Sequence, residues 1–164
     1  MCVVPIVALA LVQTAGSAEP RADGAHGVVA ASTTTQAADP APAHPELRAV
    51  FEAFGGKPGL DALMEDFMVL LLADEQLNPF FAYVDQAAVK KHLADQFCVI
   101  LGGDCTYTGR DMREAHALFE IREAEFNRLV ELLQAAMERR GVPFAAQNRL
   151  LAVLAPMQRD VVNK

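Results

Sequence analysis

The sequence predicts an all-α domain, and three observations point to it. Apolar residues recur at spacings of three and four, the period of one helix face, in the run from Leu60 to Leu71. Glycine pairs and single prolines interrupt these segments where helices would end. No segment alternates apolar and polar residues with the period of two that marks a half-buried strand. With 164 residues, 52% of them hydrophobic, the chain can form the core of one domain.

The breaks in the pattern divide the domain into successive helices. A short helix over 46–54 is expected to stop at Gly55-Gly56, and a second helix begins near Pro58, where a missing N–H costs little. Pro79 ends that region before an aromatic pair. A third helix runs over 85–101, with Asp85 as its N-cap. A loop then leads to a segment that carries His116, and two more helices follow, divided by residues 141–143.

The first 45 residues differ in composition from the rest. Residues 1–18 join an apolar run to small residues ending at Ala18, a pattern typical of a signal peptide. No Lys or Arg precedes the run, so a disordered apolar tail and a short membrane anchor remain alternatives. Residues 19–45 are rich in Ala, Thr, Pro and Gly and predict a disordered linker to a domain over 46–164. A periplasmic location is expected if 1–18 is a signal peptide, and a cytoplasmic one otherwise.

Charge and cysteine content exclude several functions. The net charge is −7 and no stripe of Lys and Arg occurs, so nucleic acid is not an expected partner. No apolar run reaches the roughly 18–20 residues of a membrane span, so no stable span is expected. Cys98 and Cys105 lack the spacing of a zinc site. We expect two reduced cysteines there, with a disulfide as the alternative after export.

Two histidines of the predicted domain lie on apolar faces. His92 shares a helix face with Val89 and Leu93, and His116 follows Met112 by one turn. An unpaired imidazole on such a face costs on the order of a few kcal/mol, so each ring needs a partner. A backbone or water hydrogen bond would suffice for either. The thioether and aromatic neighbours of His116 also suit an axial ligand to a large flat cofactor. No HExxH motif, activated nucleophile or paired carboxylate appears.

An ordered set of motifs adds a family resemblance. Residues 47–162 contain "AFGGKPGLDALMEDFM", "LADEQLNPFF", "LGGDCTYTGRDMREAH" and "GVPFAAQNRLLAVLAPMQRDVV". With these motifs in this order, the domain resembles the group I truncated haemoglobins, globins with a two-over-two helical sandwich around haem. The resemblance implies that fold and haem b as cofactor. It also implies non-covalent attachment, because no histidine follows His116 and no CxxCH motif is present.

The resemblance implies roles for individual residues. His116, which ends the "YTGRDMREAH" run, corresponds to the proximal iron ligand. Apolar residues are implied to line the haem pocket, with plain core packing as the alternative: Phe67, Met68, Phe80, Phe81, Val89, Leu93, Phe97 and Met112. Lys90, Lys91 and Tyr107 are candidates for contact with the haem propionates, with a solvated surface as the alternative for the lysines.

The distal side departs from the family's usual pattern. Met68 stands where many members have a tyrosine that hydrogen-bonds bound dioxygen, and Val89 and Leu93 replace polar side chains. Losing such a hydrogen bond costs roughly 1.5–3 kcal/mol, so strong oxygen capture is not expected. His92 matches a histidine that binds the iron as sixth ligand in some cyanobacterial and algal relatives. It is therefore a candidate distal ligand; the alternatives are a swung-out ring or a hydrogen bond to a ligand or propionate.

Four functions are open at this point. The first is reversible binding of oxygen, nitric oxide or carbon monoxide by a haem globin. The second is an enzyme, a nitric oxide dioxygenase, which would need a reductase partner. The third is an electron-transfer or redox-sensing protein with His116 and His92 both on iron. The fourth is a haem-free helical interaction module, which requires the ordered motifs to be accidental.

Overall fold

The computed structural model describes residues 39–164, and this part of the chain contains helices and no strand. The α-helices, in chain order, are α1 Arg48–Ala53, α2 Gly56–Ala73, α3 Asn78–Phe81, α4 Gln86–Ile100, α5 Met112–His116, α6 Glu123–Arg139, α7 Phe144–Leu154 and α8 Gln158–Val161. The prediction of an all-α domain is confirmed. The signal-type segment 1–18 and residues 19–38 of the predicted linker lie outside the described residues.

Four long helices form the core as two pairs. The pairs are α2 with α4 and α6 with α7. Helix α2 also packs against α6, and α4 packs against α7, so each helix of one pair contacts the other pair. Between them lie side chains with almost no solvent exposure: Leu60, Leu63, Met64, Leu71, Ile100, Leu133, Met137 and Leu150. Burying each such side chain contributes about 1.5–3 kcal/mol, which holds the pairs together. The short helices α5 and α8 pack against each other beside this core.

Aspartate caps fix where two of these helices begin. The Asp85 carboxylate accepts a hydrogen bond from the Ala88 N–H at 3.0 Å, which confirms the predicted N-cap of α4. The Asp111 carboxylate accepts from the Glu114 N–H at 2.8 Å at the start of α5. Each cap satisfies a backbone donor that the first turn leaves free. For a helix of only five residues, this bond supplies a large share of the local stability.

Two elements differ from the sequence prediction, and proline accounts for both. Residues 78–81 form the short helix α3 with Pro79 in its first turn, where the missing N–H has no intrahelical role. The last predicted helix stops at Leu154, and residues 155–157 form a 3₁₀ turn before α8. Pro156 lacks the N–H that would continue the α-helical ladder, and its ring clashes with the preceding turn.

Cys98 and Cys105 form a disulfide, with their Cα atoms 5.9 Å apart. The expectation of two reduced cysteines is therefore wrong for this structure. The chain reverses after α4 because Gly102 adopts a φ of +74° and the Gly103 N–H donates to the Cys98 carbonyl at 2.8 Å. This reversal brings residue 105 back to the helix end. The sequence spacing of the two cysteines does not reveal it.

The chain before α1 contacts the domain from residue 40 onwards. Ala41 is buried, and the Pro40 carbonyl accepts a hydrogen bond from the Gln96 side chain on α4. These residues fall inside the predicted linker. Within residues 39–164, no helix combines the length and the apolar character needed to cross a bilayer.

Candidate functional site

Helices α4 and α5 meet at a buried glutamine. The Gln96 side chain is 3% exposed, and its Nε2 lies 3.8 Å from the Met112 sulfur. His92 precedes Gln96 by four residues on α4, and His116 follows Met112 by four residues on α5. Four residues are one helical turn, about 6 Å along the axis. The two candidate histidines therefore each lie one turn from the point where their helices touch.

The His116 ring is oriented by a hydrogen bond within α5. Its Nδ1 lies 2.6 Å from the Met112 carbonyl oxygen. Because a carbonyl only accepts, Nδ1 carries the proton and donates, which leaves the lone pair of Nε2 free. Burial lowers the pKa of His116, and the bond to the Met112 carbonyl only partly opposes this effect. The imidazole is therefore held neutral, the form that binds a metal.

Residues from the C-terminus hold α5 in place. Arg113 on α5 donates to the Asp160 carboxylate at 2.8 Å, and the Asp160 side chain is almost fully buried. Asn163 donates to the His116 carbonyl at 2.9 Å and accepts from the Ile121 N–H at 3.0 Å. These bonds fix the backbone on both sides of the candidate ligand. The sequence prediction missed Asp160 and Asn163, because contacts across more than forty residues leave no local pattern.

His92 is half-buried and incompletely satisfied. Its Nδ1 is buried and has no hydrogen-bond partner among the described residues. The ring packs edge-on against the Tyr107 ring, with centroids 6.2 Å apart and planes at 74°. A buried polar atom without a partner costs roughly 1–3 kcal/mol, and no backbone group of the described residues meets this requirement at Nδ1. A ring with a free nitrogen at this place is available for a ligand role.

The predicted pocket residues fall into two groups by burial. Phe67, Met68 and Phe97 are buried in the core. The other five pack half-buried against its edge: Phe80, Phe81, Val89, Leu93 and Met112. Phe80 on α3 also contacts Phe119, just after α5, with ring centroids 6.4 Å apart. Val89 and Leu93 flank His92 on α4 and Met112 lies one turn before His116, so this half-buried apolar surface adjoins both candidate ligands, and a flat apolar cofactor would cover it.

The three candidates for propionate contact have protein partners here. Lys90 pairs with Glu65 of α2 at 2.6 Å, and Lys91 pairs with Asp95 at 2.6 Å. The Tyr107 hydroxyl donates to the Arg110 carbonyl at 2.8 Å. Contact of these three residues with the haem propionates therefore stays a prediction. In that prediction, each lysine would leave its protein carboxylate and pair with a propionate carboxylate.

The donor set fits an iron held by a porphyrin. Within residues 39–164, no three His, Cys, Asp or Glu side chains are grouped so that they could hold a metal ion by themselves. A porphyrin supplies four nitrogens and needs only one or two protein ligands. The free Nε2 of His116 and the apolar surface beside it agree with that requirement, and His92, one helical turn from the contact between α4 and α5, is the candidate for a second ligand.

An all-α sandwich with an oriented histidine beside an apolar edge defines a globin-type domain. The chain belongs to the bacterial-like globin family, whose model matches residues 49–163.

Individual relatives agree in sequence and in structure. A group 1 truncated haemoglobin of Mycolicibacterium paratuberculosis is 30% identical over 116 residues, covering 71% of this chain and 85% of the relative. The crystal structure of the truncated haemoglobin of Tetrahymena pyriformis in its Fe(III) form superposes with a TM-score of 0.67 at 30% identity, over 70% of this chain and 98% of that one. A Synechococcus 2/2 haemoglobin, solved in the cyanomet state with covalently attached haem, has a TM-score of 0.65 at 27% identity, with the same coverage. The two-over-two fold is thus confirmed.

Proposed function

We propose that this protein binds haem b non-covalently and reversibly binds small diatomic molecules: oxygen, nitric oxide or carbon monoxide. His116 is the proximal ligand, through Nε2. One observation carries the proposal: the Nδ1–H of His116 donates to the Met112 carbonyl, so Nε2 is the free lone pair of a neutral ring. Membership of the globin family supports the same assignment.

The proposal of non-covalent attachment rests on the chain after α5. The Synechococcus relative is described with covalently attached haem. In this chain, residues 117–164 contain no histidine, so no imidazole is offered there for such a link. Apolar packing and ligation of the iron by His116 then retain the cofactor.

We assign His92 as an internal ligand on the distal side. When bound, haem supplies an iron that binds either a protein side chain or a small external ligand. The His92 imidazole competes with the external ligand, so apparent affinity falls in proportion to the fraction of molecules in which the ring has swung away. Met68, Val89 and Leu93 add no hydrogen-bond donor and exclude water.

The unpartnered His92 also favours a second candidate function, electron transfer or redox sensing. If His92 stays bound to the iron in both oxidation states, the ligands of the iron do not change when it gains or loses an electron. Electron transfer then needs little structural rearrangement. Nitric oxide dioxygenase activity has no comparable support, because the residue in the distal tyrosine position is the apolar Met68, and a reductase partner would also be needed.

The test compares His92→Ala with His44→Ala as a matched histidine control. Wild-type ferrous protein is expected to give a low-spin, six-coordinate visible spectrum, and His92→Ala a high-spin, five-coordinate one. His44 bonds to the exposed Glu46 ahead of α1, and its replacement is expected to leave the spectrum unchanged. An unchanged spectrum in His92→Ala would remove His92 as a ligand. Absence of a Soret band after haemin addition would remove the whole proposal.

We also propose that the protein is exported. Disulfides persist in oxidising compartments such as the periplasm and are rare in the cytosol, so the Cys98–Cys105 bond supports the signal-peptide interpretation of residues 1–18. Cell fractionation, with N-terminal sequencing of the recovered protein, tests this. A chain found in the cytoplasm, starting at Met1 and with free thiols at 98 and 105, would overturn it.

A further inference from the structure

We infer that Tyr107 positions the His92 ring and that the Cys98–Cys105 disulfide holds Tyr107 in place, so that the disulfide sets the fraction of molecules with an open iron site. This inference rests on the proposed function, in which His92 is the internal distal ligand. It assigns Tyr107 a role in addition to the predicted contact with a propionate.

The first step is the contact between the two rings. Tyr107 meets His92 edge-on, at a centroid separation of 6.2 Å and an interplanar angle of 74°. Edge-to-face pairs of this kind have a preferred geometry, and the contact limits rotation of the imidazole about its side-chain bonds. Because the buried Nδ1 of His92 has no hydrogen-bond partner, no polar contact of that atom orients the ring. The Tyr107 ring is the aromatic group that packs on it.

The second step is how Tyr107 is itself held. Its hydroxyl donates to the Arg110 carbonyl at 2.8 Å, which closes a tight turn. Gly109 lies under the tyrosine ring, and a Cβ at that position would collide with it. Glycine at 109 therefore allows the ring to lie close over the turn, where its hydroxyl bonds to the loop backbone. The loop itself must also be attached to the rest of the domain.

The disulfide provides that attachment. Cys105 precedes Tyr107 by two residues, and Cys98 follows His92 by six residues on α4. The bond therefore ties the loop to the same helix that carries His92. Glycine at 103 allows the close approach, because a Cβ there would lie 2.5 Å from the Cys98 sulfur and 2.9 Å from the Phe51 ring. The covalent ring spans residues 98–105, with His92 six residues before it on α4 and Tyr107 two residues after it, so the disulfide anchors the start of the loop segment that carries Tyr107.

Reduction of the Cys98–Cys105 disulfide frees the loop by thiol–disulfide exchange. A dithiol donates two electrons and two protons, the bond between the two sulfurs breaks, and two thiols form while the donor becomes a disulfide. The loop then keeps only its non-covalent contacts, and Tyr107 restricts His92 less. In this inference, the ring position that Tyr107 holds is the iron-bound one, so losing an aromatic pair of this type raises the open fraction by about two- to tenfold. Affinity for an external ligand rises by the same factor.

The experiment measures carbon monoxide affinity of the ferrous, haem-loaded full chain. All proteins carry Cys2→Ser, so that Cys98 and Cys105 are the only thiols that can form. Affinity is measured before and after treatment with a dithiol, and thiols are counted by mass after alkylation. We expect reduction, Tyr107→Leu and the double variant Cys98→Ala/Cys105→Ala each to raise affinity about two- to tenfold. Tyr107→Phe keeps the ring but loses the hydrogen bond to the Arg110 carbonyl, so it is expected to raise affinity by less than Tyr107→Leu does.

Repeating the series in His92→Ala separates positioning from general loosening. If Tyr107 acts through His92, neither reduction nor Tyr107→Leu changes affinity once His92 is absent. Equal effects in both backgrounds would overturn the inference, and so would no effect in either. A second readout is the nuclear Overhauser contact between the Tyr107 and His92 rings in the diamagnetic low-spin ferrous protein. It is expected in the oxidised form and weakened after reduction; a contact unchanged by reduction would overturn the role of the disulfide.

These failures are distinct from failure of the proposed function. A protein that takes up no haem contradicts the proposed function itself, and one whose ferrous form is five-coordinate before any treatment contradicts the proposed role of His92 as internal ligand. A six-coordinate protein that loses its low-spin spectrum in His92→Ala but ignores both reduction and Tyr107→Leu contradicts only the inference about Tyr107 and the disulfide.

Discussion

The two sides of the candidate haem site are built differently. On the proximal side, His116 has a fixed tautomer through Met112, and its helix is tied to the C-terminus through Asp160 and Asn163. On the distal side, His92 has a buried nitrogen without a partner and one aromatic neighbour. A polar group with several fixed hydrogen-bond partners is held in one conformation. A group that lacks a hydrogen-bond partner can adopt a second conformation when a ligand binds.

The difference separates two tasks of the protein. The proximal side must keep the bond between His116 and the iron at all times, so a rigid arrangement there is compatible with function. The distal side must exchange an internal ligand for an external one, so its ring has to be restrained without being locked. The contrast predicts that proximal substitutions change whether haem is held, and distal ones change what binds to it.

The largest effect is expected for His116→Gly. Loss of partners behind a ligating histidine costs about ten- to a hundredfold in metal affinity in other sites, and loss of the ligand itself exceeds that. Haem transfer to an excess of apomyoglobin is expected to be more than about a hundredfold faster than in wild type, and added imidazole should partly restore the spectrum. The exposed Leu118, replaced by Gly, is the matched control. Equal haem retention in wild type and His116→Gly would show that the proximal ligand lies elsewhere.

The next largest effect is expected on the distal side, for Met68→Tyr in the His92→Ala background. The new hydroxyl would donate to a bound dioxygen ligand, and such a bond to a charged acceptor is worth roughly 1.5–3 kcal/mol, or about ten- to a hundredfold in affinity. The change should appear mainly as slower oxygen dissociation in stopped-flow measurements. Met68→Phe controls for the added ring. Similar oxygen dissociation rates in His92→Ala alone, with Met68→Tyr and with Met68→Phe would mean that residue 68 does not face the ligand.

Sequence reasoning was more complete for the fold than for the site, and particular residues show why. The period of three and four places Leu60 to Leu71 on one buried face, because helix geometry is local. The same logic could have found Gln96, which lies seven residues after Val89 on the same face, as a buried polar residue. It could not have found Asn163 beside His116, since that contact joins positions 47 residues apart.

A smaller proximal effect is expected for Asp160→Asn. The substitution keeps the shape of a buried side chain and removes the charge that Arg113 and Arg159 face. Hydrogen bonds between charged groups contribute about 1.5–3 kcal/mol, and the exposure of both arginines places this one at about 1–2 kcal/mol. Urea unfolding should show that loss of stability, and haem dissociation should become several-fold faster. The exposed pair of Lys90 with Glu65 supplies the control, Glu65→Gln, for which a loss below about 1 kcal/mol is expected.

The smallest effect is expected for Gln96→Met, at the junction between the two sides. Gln96 donates to the Pro40 carbonyl and lies between the sulfurs of Met112 and Met157, so an unbranched thioether of similar volume can fill its place. The lost hydrogen bond should lower the free energy of unfolding by about 0.5–1.5 kcal/mol. The visible spectrum should not change, because Gln96 is one turn away from both candidate ligands. A shift in spin state with this variant would mean that the two sides are coupled through this contact, and that the proximal helix is less independent of the distal one than its own bonds to the C-terminus imply.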